Sequence, residues 1–318
     1  MARDKSNWMA FALLGLVMLL WAGNSIVARA VRFDVPPFAL ASGRWLLALL
    51  ILAPFAIAPL RRDRAALRQH WKIVLVLGLV GVAAFNSFLY AGLRYTTATN
   101  ALLLQAGIPA FIVLFQRVLL GVRSGAWQME AVGISVLGVV AIVFRGDPAS
   151  VLQLQFGKGD VLILCAVVAW ALYTVLLRLR PAISPVSFIA VTFAIGAAVN
   201  APLAYAEWLG GAQIVWSGKA VGAFAYVALL PSLVAYSIYN WAAAKVGAAH
   251  AGQAITLMPL FGAVLSALLL GEPLLVYHYA GMALILAGIV LGALTPRPVA
   301  KAQDTAGARP GASLEDSA

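Results

Sequence analysis

The chain has 318 residues, 63% of them hydrophobic and 10% charged, with a mean hydropathy of +0.95 and a formal charge of +11. A soluble domain of this size carries about 25% charged residues, so a water-facing surface cannot be assembled and the chain reads as a polytopic membrane protein. Its Lys and Arg residues stand in short clusters between apolar runs, the pattern of loops at a membrane rather than of a nucleic-acid footprint.

A bilayer-crossing helix needs about 20 mostly apolar residues. The first such run, 8–28, lacks a clear small-residue cleavage site and is expected to remain as a span. It carries Trp21, Asn24 and Ser25. The second, 36–58, holds Arg44, the sole basic residue well inside a span. The third, 72–93, carries Asn86 and Tyr90, four apart and so on one helix face. In the fourth, 98–119, Gln105 precedes Pro109 by four residues; the fifth, 127–145, contains Gly133 and Gly138. The second half gives spans at 159–178, 185–206, 218–243, 248–270 and 276–294. They carry Trp170, Tyr173 and Thr174 in the sixth, Tyr236 and Asn240 in the eighth, and Gln253 and Thr256 ahead of Pro259 in the ninth. Gly288 and Gly292 form a GxxxG in the tenth. The end, 296–318, is rich in Pro, Gly, Ala and polar residues without periodicity and reads as a disordered tail.

The two halves repeat each other. PAFIVLFQRVLLG at 109–121 aligns with PLFGAVLSALLLG at 259–271, and the 150-residue offset also pairs Ser87 with Ser237 and Gly138 with Gly288. Matched Pro, Phe and Gly at one offset outweigh the Ala and Leu identities expected by chance. The expected fold is all-α: ten transmembrane helices in two five-helix repeats, 1–145 and 146–295, with a cytoplasmic tail at 296–318. The clusters Arg61–Arg62–Arg64–Arg68, Arg117–Arg123 and Arg178–Arg180 set the orientation, with both termini in the cytoplasm. Five spans is an odd number, so the second copy inserts upside down relative to the first.

The eleven acids lie in loops, tails or at span ends, so no mid-membrane carboxylate is available for proton chemistry. His70, His250 and His278 are scattered without ligand spacing, and no metal, cofactor or catalytic residue is expected. Cys165, inside an apolar run, reads as an inert core thiol. Polar residues within spans are therefore the informative ones. Asn86 and Tyr90 correspond at the 150 offset to Tyr236 and Asn240; the four either line a cavity or only join helices by hydrogen bonds. Trp21, Asn24 and Ser25 pair with Trp170, Tyr173 and Thr174 at offset 149, as cavity wall or as interfacial belt. Pro109 and Pro259 free a carbonyl one turn back, either a tolerated kink or a broken helix at a substrate site. Arg44 either snorkels or caps a carbonyl, or is the counter-charge for a substrate carboxylate. The glycines of the fifth and tenth spans point to helices that pack or dimerise rather than line a path.

Trp21-Ala-Gly-Asn-Ser25, Arg44, Pro109, Pro259 and Leu270-Gly-Glu-Pro273 together resemble the EamA-type drug/metabolite transporters, over about 8–295. The resemblance implies a central cavity walled by the first, third, fourth, sixth, eighth and ninth helices, with the fifth and tenth peripheral. The overall character is similar to YddG-type exporters of aromatic and hydrophobic amino acids. Two positions depart from the family pattern: Val122 stands where Glu272 stands in the second copy, and Tyr173 where the first has Asn24. The expected function is export of small neutral or zwitterionic amino acids across a bacterial inner membrane by alternating access. The substrate would meet Trp21, Asn24, Arg44, Asn86, Tyr90, Gln105, Trp170, Tyr173, Tyr236, Asn240 and Gln253. Export of lipophilic cations or other metabolites is the alternative. An intramembrane enzyme would need clustered His, Asp or Glu at membrane depth, which the sequence lacks.

Overall fold

The computed structural model describes residues 2–121, 125–143, 157–247, 251 and 254–293. Among them every regular element is helical. The main rods are α1 (Ala2–Ala30), α2 (Pro37–Arg62), α3 (Trp71–Gly92), α4 (Ala98–Leu120), α5 (Ala126–Val143), α6 (Lys158–Leu176), α7 (Pro185–Leu209), α8 (Gly218–Val246), α9 (Met258–Leu270) and α10 (Val276–Ala293). A short helix, Arg64–Gln69, joins α2 to α3. Each apolar run read from the sequence folds as a helix over most of its described residues. Seven contain an apolar stretch long enough to cross a membrane; the apolar stretches Met129–Gly138, Met258–Leu270 and Val276–Gly288 are shorter.

Local chemistry sets the element ends. Pro37 and Pro185 open α2 and α7, where a missing N–H costs nothing. Gly121 and Gly271, partners at the 150 offset, close α4 and α9 in the left-handed region with φ of 64° and 65°. Proline breaks rather than kinks α4: the helix stops at Gln105 and restarts at Ile108 with Pro109 in its first turn. α9 likewise opens on Met258-Pro259 after a single 3-10 turn, Ile255–Leu257. Two further irregularities had no sequence forecast. α3 widens to a π-helix over Gly78–Ala84 and α8 over Leu229–Val234, at corresponding positions of the two halves.

The rods assemble across the halves rather than within them. α1 packs chiefly on α8 and α9, and α6 chiefly on α3 and α4. α2 and α7 lie against one another along their lengths, as do α5 and α10. The second contact is as close as backbones allow. A Cβ on Gly138 would fall 2.7 Å from the Gly281 carbonyl, and one on Gly288 2.6 Å from the Ala131 carbonyl. These two glycines are thus used in a helix contact inside the chain.

Carboxylates fix the α2–α7 pair at both ends. Glu207, near the end of α7, accepts from the Phe38 and Ala39 amides at the start of α2, at 2.9 and 3.0 Å. Asp63, just past α2, accepts from the Ser184 amide at the start of α7, at 2.8 Å. Each anion meets the positive end of a helix dipole. Cys165, expected in the core, is instead exposed on the outer face of α6, because its neighbours Ile163 and Ala166 take the inward positions.

Candidate functional site

Arg44 occupies the middle of the molecule, 1% exposed, and does not snorkel. Its Nε donates to Ser232 Oγ at 2.6 Å. Nη1 approaches Asn24 Oδ1, Asn86 Oδ1 and Tyr90 Oη at 3.0, 2.7 and 2.8 Å, and Nη2 donates to the Pro231 carbonyl at 3.2 Å. The guanidinium also stacks over the Trp45 ring at 4.5 Å. Every one of these partners is neutral. Among the described residues the ion pairs are Arg29–Glu272, Arg62–Asp63 and Lys219–Asp34, and none involves Arg44. A buried cation held only by dipoles keeps its full positive charge on offer to an anion.

The π-helical turns create part of this cradle. Opening a helix to the wider pitch leaves a carbonyl without its usual amide, and such turns cluster where side chains need main-chain acceptors. The Pro231 carbonyl in α8 accepts from both Arg44 and Trp21 Nε1, the latter at 3.0 Å. At the corresponding place in α3, the Gly81 carbonyl accepts from Tyr236 Oη at 2.9 Å. Gly81 is obligatory there: a Cβ would lie 2.1 Å from the Tyr173 ring.

Beside the polar cradle stands an aromatic cluster. Trp21 meets Trp170 and Tyr239 at centroid distances of 4.9 Å each and Tyr236 at 5.8 Å. Trp170 in turn packs on Tyr173 at 5.0 Å and Phe85 at 4.8 Å, and Trp45 on Phe193 at 4.6 Å. Trp21 is therefore an interior residue and not part of an interfacial belt. Apart from Phe85, which is partly buried, no side chain of the cradle or the cluster is more than 8% exposed, so the site is closed off from solvent.

A pair of hydrogen bonds repeats across the halves with its residues exchanged. Tyr90 Oη donates to Asn24 Oδ1 at 2.7 Å, and Tyr173 Oη to Asn240 Oδ1 at 2.9 Å. Asn24 corresponds to Tyr173, and Tyr90 to Asn240. Both bonds run from the α1–α8–α9 group to the α3–α4–α6 group. The four groups expected to meet divide between two places: Asn86 and Tyr90 join Arg44, while Asn240 joins Tyr173, with Tyr236 between them on the aromatic wall. The Asn240 Nδ2 is buried without a partner. Gln105 lies at the α4 break with its Nε2 on the Ala101 carbonyl and its Oε1 unpartnered, apart from the Arg44 network. Gln253 and Val122 lie outside the described residues. Residues not anticipated from sequence are Ser232, Trp45, Tyr239 and the Gly81 and Pro231 carbonyls; Pro231, interior to a span, was the available signal.

A bundle of apolar helices with a buried, uncompensated cation at the seam of two cross-assembled groups is the build of a multi-pass membrane transporter. The comparisons agree: the EamA-like transporter family model matches residues 8–144 and 157–293, and the chain belongs to that family. An uncharacterized transporter of Archaeoglobus fulgidus is 29% identical over 88% of this chain and 95% of its own length. The uncharacterized transporter YyaM of Bacillus subtilis is 26% identical over 87% and 91%. The uncharacterized inner membrane transporter YicL of Salmonella typhimurium is 24% identical over 78% and 79%. A solved crystal structure superimposes with a TM-score of 0.65 at 22% identity, covering 90% of this chain and 98% of that one, which supports the fold.

Proposed function

We propose that this transporter exports small zwitterionic amino acids, aromatic ones included, across a bacterial inner membrane by alternating access. In this reading all ten helices cross the bilayer as two inverted five-helix repeats, with both termini in the cytoplasm. The observation that carries it is Arg44: one buried guanidinium with neutral partners only, next to an aromatic wall. A carboxylate would find its charge partner at Arg44, and an apolar or aromatic side chain would lie on Trp21, Trp170 and Tyr236. Asn24 and Asn86 would exchange partners between Arg44 and the substrate's polar end. Rocking of the α1–α8–α9 group against the α3–α4–α6 group would open the seam alternately at its two ends. Export of lipophilic cations fits less well, because a cation entering the aromatic wall would meet the Arg44 charge at short range.

Counterflow of labelled amino acids in liposomes tests this. Arg44→Gln is expected to weaken zwitterionic substrates by roughly 10- to 160-fold, the worth of about 1.5–3 kcal/mol for a hydrogen bond to a charged group. Amine analogues lacking the carboxylate should be unaffected or improved. Wild-type amino-acid counterflow in Arg44→Gln would remove the carboxylate role.

A further inference from the structure

The two ends of the seam are joined differently. At the end that carries Arg29, that residue donates from Nη1 to the Leu93 carbonyl at the end of α3, at 2.8 Å. Its Nε lies 3.7 Å from Glu272 Oε1. Glu272 stands just past α9 and caps α4: it accepts from the Ala98 and Thr99 amides at 3.3 and 3.2 Å and from the Thr99 hydroxyl at 2.9 Å. Arg29 belongs to α1 and Glu272 follows α9, whereas Leu93 and α4 belong to the opposing group. The two side chains therefore tie one group to the other at this end, and both are largely shielded from solvent, at 16% and 15% exposure.

Among the described residues the other end shows no pair of this kind. The counterpart of Arg29 is Arg178, which is exposed and makes no ion pair or hydrogen bond among the described residues. The counterpart of Glu272 is Val122, which has no carboxylate to offer. The α2–α7 caps do not account for the difference, since Glu207 and Asp63 supply one at each end.

We propose that Arg29 and Glu272 form a one-sided latch that holds the seam shut at their end. The resting carrier then opens at the opposite end. The inference rests on the alternating-access reading; in the orientation proposed above the latch is extracellular, so the empty carrier rests ready to load from the cytoplasm.

The test uses cysteines at corresponding, fully buried positions of the seam, Ser25→Cys in α1 toward the latch and Thr174→Cys in α6 toward the far end, each in a Cys165→Ala background. An impermeant maleimide is applied to right-side-out and inverted vesicles of the full chain. Before any latch change, Thr174→Cys is expected to react from its side faster than Ser25→Cys from the other. Adding Glu272→Gln or Arg29→Gln should raise Ser25→Cys labelling about 5-fold, the ratio that loss of one hydrogen bond of ordinary strength produces. Arg178→Gln should leave it unchanged. Glu272→Gln keeps an acceptor oxygen for the α4 amides, so the variant is expected to fold; melting temperature checks this. Unaltered Ser25→Cys labelling in both folded latch variants, or an equal effect of Arg178→Gln, overturns the latch while leaving alternating access in place. If neither cysteine reacts from either side in any variant, the alternating-access reading falls and the latch with it.

Discussion

Two of the acceptors that hold Arg44 serve a second donor as well: Asn24 also accepts from Tyr90, and the Pro231 carbonyl from Trp21. Removing the charge relieves desolvation while it loses hydrogen bonds, so the two effects oppose each other. Arg44→Gln is therefore expected to change folding stability by no more than about 1 kcal/mol, read as a melting shift, while it weakens the proposed carboxylate recognition. Tyr173→Phe should behave in the opposite way. It strips Asn240 of its one hydrogen bond and leaves the whole amide buried and unpaired, a cost of about 1–3 kcal/mol that thermal denaturation would register. A melting temperature equal to the wild type would show that the amide finds another partner. Most of the cradle was legible because a charge or amide inside an apolar span is conspicuous in itself. Ser232 was not, since Val82 stands at its counterpart and nothing in an isolated Ser announces an arginine partner. Trp45 and Tyr239 were hidden for a different reason: in a chain this apolar, one more aromatic next to a singled-out residue carries no contrast.

At the scale of the element, breaks and bulges decide where main-chain oxygens become available. Pro109 made the α4 break readable, because proline removes the amide that Gln105's carbonyl would accept from. Pro109→Ala is expected to restore that amide, rejoin the two halves of α4, and slow transport more than it lowers the melting temperature. Equal transport rates would reduce the break to a tolerated kink. The π-turns were not readable. Gly78–Ala84 contains nothing but Gly, Ala, Val and Leu, and helical periodicity is blind to one extra residue per turn. Gly81→Ala tests what that turn does: the added methyl must displace the Tyr173 ring, for an expected loss of about 1–3 kcal/mol in denaturation. The α7 cap gives a pH dependence. The nearby Ser187 hydroxyl, the Ser184 amide donating to the carboxylate itself, and Arg62 together hold the Asp63 carboxyl below the usual carboxylate range. A depressed folded-state pKa means the cap is fully present above about pH 4, the unfolded value, and is lost as pH falls through the lower folded value. The melting-temperature gap between wild type and Asp63→Asn should accordingly shrink on acidification from pH 7 toward pH 3; a gap that holds constant would contradict the ionised cap.

For the whole molecule, the sequence carried the outline and missed the assembly. Apolar run lengths placed most helices to within a few residues, with α1 starting six residues earlier than its run and α9 ten residues later, and the 150-residue offset paired them. Nothing in periodicity foretold that α1 would leave its own half to pack on α8 and α9, because which apolar face meets which is decided by shape between distant segments. Gly138 and Gly288 show the same limit: their spacing announced a close helix contact without saying that each would face the other's helix. The proposed topology is checked by thiol labelling in a Cys165-free background, with cysteines in the 61–72 loop and the tail expected to react only from the cytoplasmic side. A tail that reacts from outside would reverse the orientation.

Counted from Pro37 and Pro185, the first residues of α2 and α7, Arg44 corresponds to Thr192 and Trp45 to Phe193. The guanidinium draws on Ser232 and Pro231, whose counterparts are Val82 and Gly81. A carrier built from two identical half-length chains would bring two guanidiniums toward one axis and give each a valine in place of its serine. The present arrangement, with one charge and one set of partners, is open only to halves free to mutate separately. Divergence of the two halves is thus a precondition of the proposed binding chemistry, and a half-length chain pairing with its own copy could not reach it.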